Sequence, residues 1–217
     1  MKHVLNQYFD RIYCITVHTF TNRHQQVREQ LKGIDFEWAF SPLPEWLSPS
    51  PAITPTEKSL TIGIFNAIQN AKFHKFNRIL IWEDDGILSA TEEEIGNFLG
   101  DIPKNWDALY MGGPPWAEKL WPFAHEEYSQ HAYRVLHGNG NACLGIQSHV
   151  YVRLLNGLSK FNAPADFRLN TLFKRRNSYA PKKFFSSPNS KPDIRYFNRF
   201  TAEELAACGP SYIVHTV

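Results

Sequence analysis

The 217-residue chain is short of cysteine, of methionine and of long apolar runs. Cys14, Cys143 and Cys208 stand far apart with no CxxC spacing, which argues against a thiolate zinc site or a disulfide framework and fits a reducing compartment. No stretch approaches the roughly 20 apolar residues that cross a bilayer. The opening "MKHVLNQYFDR" has no apolar signal-peptide core, so the expected location is cytoplasmic and soluble. An excess of one charge is missing too. Lys and Arg number 23 against 21 Asp and Glu, and net charge therefore selects no polyanionic partner. With 43% hydrophobic and 14% aromatic residues, the chain can bury the core of one sizeable domain.

Apolar patterning divides the first half into alternating elements. "RIYCITV" (11–17) reads as a buried strand. Phe20, His24, Val27 and Leu31 then recur at helical spacing until Gly33 supplies a stop. "DFEWAF" (35–40) alternates like a strand, and the five prolines of "SPLPEWLSPSPAITP" force a loop. "TPTE" (54–57) is a capping box with Pro at the first helical position, ahead of a stripe at Leu60, Ile64, Ala67, Ile68 and Ala71; it predicts a helix over 55–73. "RILIW" (78–82) is the next strand, "TEEE" (91–94) caps another helix, and "WDALYMGG" (106–113) is a strand ending in glycines. In the second half, "GPPWAEKLWPFAHEEYSQ" reads as a loop, and "HAYRVLHGNGNACLGI" as two strands around a Gly/Asn turn. "SHVYVRLLNGL" reads as a helix with Ser148 as its N-cap, and "SYIVHTV" as a closing strand.

Strands alternating with helices imply a single α/β domain whose mostly parallel sheet is sandwiched by helices. Ligands of such sheets sit beyond the carboxyl ends of the strands. Glu83, Asp84 and Asp85 fall at that end of the third strand, and Gly112 and Gly113 at that of the fourth. Three adjacent carboxylates repel one another unless a cation compensates them. All-oxygen ligands select hard ions, Mg²⁺ or Mn²⁺, which bind through one or two carboxylates plus substrate phosphates. The cluster thus suits a nucleotide diphosphate, with Gly86 allowing a sharp turn beside it. A solvated acidic turn closing a strand is the competing account.

The blocks "RIYCITVHTFTNRHQQVREQL", "LTIGIFNAIQNAKFHKFNRILIWEDDGIL", "WDALYMGG", "GNGNACLGIQSHVYVRLL", "ADFRL" and "SYAPKKFFSSPNSKPDIR" occur in an order that resembles glycosyltransferase family 25. That family includes lipopolysaccharide and collagen galactosyltransferases. The resemblance implies a GT-A-like, Rossmann-type fold and transfer of a hexose, usually galactose, from a UDP-sugar to a saccharide hydroxyl with inversion. It divides the domain into a nucleotide-sugar half, about 1–113, and an acceptor half, about 114–217. It makes the acidic triplet a DxD-type motif, with Asp85 holding the metal and Glu83 and Asp84 orienting ribose or base. Thr16, Val17 and His18 stand where the family has Asn-Leu-Asp, which puts Thr16 and His18 in the donor site; Arg23 matches the family's following arginine.

The same resemblance offers Asp166, in "PADFRL", as the base that takes the acceptor proton; an N-capping aspartate is the other account. His215 is similar to a C-terminal histidine that completes the metal shell in some GT-A enzymes, and a hydrogen-bonded core histidine fits equally well. Gly112 and the small loop Asn139–Gly140–Asn141 leave room for the donor sugar, although a plain hairpin turn also explains that loop. Trp116 and Trp121 offer faces for an acceptor sugar, or fold back on the core. Eight Lys or Arg residues against Asp193 between Lys174 and Arg199, mixed with Phe184, Phe185, Tyr196 and Phe197, open three further options: an anionic saccharide acceptor, contact with the inner membrane face, or DNA. Two rivals follow: the same catalyst acting on modified DNA bases, and a non-catalytic nucleotide-sugar or carbohydrate-binding module.

Overall fold

In the first half, helix starts and strand ends lie where local chemistry dictates. A computed structural model describes residues 2–113, 124–138 and 142–188. After the short α1 (Val4–Tyr8) come β1 (Arg11–Val17), α2 (Thr21–Gln30), β2 (Glu37–Ser41), α3 (Pro55–Phe73) and β3 (Arg78–Glu83). There follow β4 (Gly86–Leu88), α4 (Glu92–Asp101) and β5 (Ala108–Gly112). Both capping boxes form: Thr54 accepts from the Glu57 amide and Thr91 from that of Glu94, while each glutamate accepts from its threonine's amide. Gly33, at φ 89°, takes the left-handed conformation that ends the α2 region.

Sheet order is β2-β1-β3-β8-β5-β9-β7-β6, with β6 (Ala124–Glu127), β7 (Ala132–His137), β8 (Cys143–Gln147) and β9 (Ser178–Pro181). On this path six strands point one way and β8 and β7 the other; since both lie inside the sheet, parallel and antiparallel pairings intermingle and the sheet is mixed. β10 (Ser186–Pro188) pairs antiparallel with β4 and touches β5 at Gly112. One apolar layer packs α3, α5 (Tyr151–Leu158) and α6 (Ala165–Phe173) on one face of the sheet; the other packs α1, α2 and α4 on the opposite face.

Several expectations change. The stretch 113–130 is not all loop, because β6 forms from its end and pairs with β7. The Gly/Asn segment does not close a hairpin: β7 pairs with β9 and β6, while β8 lies between β3 and β5. Ser148 does not cap α5; residues Ser148–Val150 are a 3-10 turn, and the helix after it has no side-chain cap. The closing strand "SYIVHTV" lies outside the described residues.

Gly112 belongs to packing as much as to any pocket. A Cβ there would lie 2.7 Å from the Cys143 amide nitrogen and 2.8 Å from its Cβ. The β5–β8 register also shifts between Tyr110 and Gly112. Gly112→Ala is therefore expected to cost about 1–3 kcal/mol as an overpacking change, read as a lower urea midpoint.

Candidate active site

Alternation along β3 sends its terminal carboxylates to opposite faces of the sheet. Ile79 and Ile81 belong to the α3/α5/α6 layer, and Leu80 and Trp82 to the α1/α2/α4 layer. Glu83 continues the first series and Asp84 the second. Asp84, 8% exposed, accordingly meets the α2 side. Thr16 donates to its Oδ2 at 2.5 Å, and Arg23 Nη1 to its Oδ1 at 2.7 Å. Arg23 is the compensating cation, itself lying over the Phe20 ring at 5.1 Å. Thr16 gives its single hydrogen to Asp84, so His24 Nε2–H must be the donor to Thr16 Oγ1 and to the Val17 carbonyl, each at 3.1 Å. His24 is in turn held against Trp38, ring to ring at 4.7 Å.

Glu83 faces the other layer, where α6 delivers Asp166. Burial, then the charges of Asp166, Asp85 and Asp84, push the Glu83 carboxyl well above the ordinary value; Arg23 opposes them only weakly. Asp166 is the second residue of α6, with Pro164 at the cap position, so it is not the N-cap. Its charge also raises the Tyr110 hydroxyl, after burial. One turn along α6, Asn170 accepts from Tyr110 Oη at 3.1 Å. Beneath the triplet the buried Cys14 thiol is held protonated, first by burial and then by Asp84, Glu83 and Asp85.

Asp84 and Asp85 line a cleft of about 270 Å³ with Arg23, Gln26, Gln30 and Gly86. Gly86, on the cleft wall, is packed too closely for a side chain: a Cβ would lie 2.9 Å from Trp82 Nε1, 3.0 Å from Ser186 Oγ and 3.1 Å from the Glu83 carbonyl. Among the described residues no three His, Cys, Asp or Glu close into a complete ligand set. The donor set fits a hard divalent ion of the kind that takes one or two carboxylates and completes its shell with phosphate and water. It does not fit zinc.

Thr16, Arg23, Asp84 and Asp85 thus gather on the α2 side, and Glu83 and Asp166 on the other. His18 does not join them; it is exposed in the turn after β1. Trp116, Trp121, Asn141 and His215 lie outside the described residues. In the basic segment, Phe185 is buried in the core and Lys182 bonds Glu127, while Lys174, Arg175 and Arg176 are exposed; Tyr196 and Phe197 lie outside the described residues. His24, Gln26, Gln30, Tyr110 and Asn170 were not singled out from the sequence for the site. The i, i+3 and i+7 placement of Arg23, Gln26 and Gln30 on α2 was the available signal.

A raised acid loses stability as it ionises. Glu83 binds more protons folded than unfolded, so stability should fall as pH rises from the ordinary glutamate value of 4.5 toward its folded one. Without added metal, Glu83→Gln is expected to flatten that slope and raise the urea midpoint at neutral pH. An unchanged slope in urea titrations across pH 4 to 8 would contradict the assignment.

No family model and no curated protein matches the chain. Among solved structures it overlaps a glycosyltransferase involved in the glycosylation of the major capsid of PBCV-1, at 14% identity over 70% of this chain and 66% of that one, TM-score 0.42. It also overlaps A197 from STIV at 9% identity, covering 84% and 85% of the two chains with TM-score 0.44. An apo UDP-glucose pyrophosphorylase overlaps at 10% identity over 82% and 74%, again at 0.44. Overlaps this loose carry no argument about activity, which has to come from the site. Among the described residues no helix is long and apolar enough to cross a membrane.

Proposed function

We propose that the chain is a GT-A-type glycosyltransferase of the family 25 kind, moving a hexosyl group from a UDP-sugar to a saccharide hydroxyl with inversion, assisted by Mn²⁺ or Mg²⁺. The observation that carries this is the cleft at the carboxyl end of a central strand, where Asp84 and Asp85 stand beside Arg23, Gln26 and Gln30, while Glu83 of the same strand end feels the charge of Asp166 from the other side. A metal bound there would neutralise charge on the departing diphosphate.

This chain's residues divide the remaining work. Asp85, in the turn between β3 and β4, would hold the ion. Asp84 is held by Thr16 and Arg23 and fixes the turn that presents Asp85. Arg23, Gln26 and Gln30 offer donors along the cleft wall to phosphate and ribose oxygens. Asp166 takes the acceptor's proton as its oxygen attacks the anomeric carbon from the face opposite UDP; the bond to UDP breaks and its electron pair leaves with the diphosphate. Glu83 faces Asp166 and shares its electrostatic environment.

A thermal-shift screen of UDP-sugars with and without Mn²⁺ tests the reading, because a ligand that binds only the folded state raises its apparent stability. At least one donor should stabilise the protein in a metal-dependent way. Absence of any shift across UDP-hexoses would overturn it.

A further inference from the structure

A second cavity, of about 600 Å³, opens at the other end of β3. Arg78 begins that strand and Glu83 ends it, so the two sites lie about 17 Å apart along it. Arg78 and Lys104 are the charged residues of its wall, with Asn77, Gln147 and Ser148 as polar neighbours; no acid lines it among the described residues. Nor does either cation take part in an ion pair among them. Two acids stand close by and are occupied: Asp10 Oδ2 accepts from the backbone amides of Asn77 and Arg78 at 2.6 and 2.9 Å, and Asp101 Oδ2 accepts from Ser129 Oγ and faces His131 Nδ1.

The Arg78 side chain and the Lys104 backbone are held in place. The Arg78 guanidinium lies 4.5 Å over the Tyr8 ring, and Tyr8 is fixed by Trp106 Nε1, which donates to its hydroxyl at 2.8 Å. Gln147 Nε2 donates to the Lys104 carbonyl at 2.8 Å and ties the residue that carries the second charge to the end of β8. Leu99 and Ile102 supply an apolar side.

We infer that this cavity binds a phosphate monoester of a small molecule. Two positive side chains without a carboxylate match a dianion, and a monoester carries about −1.5 to −2 at neutral pH. Arg78 supplies a planar fork and Lys104 a point charge, the two usual phosphate donors. The volume exceeds that of the ion and leaves room for the esterified group beside Leu99. This site is independent of the glycosyl-transfer reading, and nothing in it draws on the acidic cleft.

Calorimetric titration at constant ionic strength with ribose 5-phosphate, inorganic phosphate and ribose tests it on the full chain. Saturable binding of ribose 5-phosphate is expected, with ribose silent. The double variant Arg78→Gln/Lys104→Gln should weaken it by about tenfold or more, the loss of charge-assisted contacts. Asp85→Asn should leave it within about twofold of the parent. Lys104→Gln alone, at an exposed position, keeps the test valid if the double variant folds poorly, and circular dichroism checks each variant. No saturable binding in the parent, binding that survives both substitutions, or binding that disappears in Asp85→Asn would each overturn the inference. UDP-sugar binding is measured separately, so failure here leaves the acidic site unaffected.

Discussion

Asp85→Ala is expected to abolish metal-dependent binding of a UDP-sugar while the protein stays folded. Altering groups that merely orient metal ligands costs about 10–100-fold in affinity, so removing a ligand should cost at least a hundredfold. The fold should survive because Asp85 sits in the turn between β3 and β4, not in a ladder, and because its removal relieves the crowding that raises Glu83. Calorimetry with Mn²⁺ present, alongside circular dichroism, checks both halves. Parent-like binding of donor and metal by the variant would remove the triplet from the site.

Asp166→Asn should have the opposite signature: donor binding kept, transfer lost by about 10²–10⁴-fold, the usual contribution of a positioned base. Asparagine preserves shape, and the charge lost at the second residue of α6 costs the helix only about 0.3–1 kcal/mol. Radiolabelled sugar transfer, followed with calorimetry on the same preparation, separates the two effects. Turnover equal to the parent's would take Asp166 out of the mechanism.

Why was so much of the first half legible in the sequence? Each element there announces itself locally. Two capping boxes start α3 and α4, glycine ends the α2 region, and continuous apolar runs mark β1 and β3. The acidic cluster stood out because its charges follow such a run directly. What could not be read was pairing at a distance. Nothing in "NACLGI" says that β8 inserts between β3 and β5, or that "FSS" returns to pair with β4. Those contacts depend on packing between segments far apart in the chain. The environments of Glu83 and Asp84 were half readable: alternation assigns them to opposite faces, but only the fold places Arg23 and Thr16 on one side and Asp166 on the other.

The pairing of β4 with β10 bears on synthesis. Gly86 immediately follows the acidic turn, yet its strand partner is Pro188, and Ser186 lies against Gly112. A ribosome making this protein has to deliver residues through Pro188 before that turn gains its full strand support. A chain released before β10 emerges would still hold Asp84 through Thr16 and Arg23, both made earlier, but would leave β4, the strand directly after the acids, without its partner.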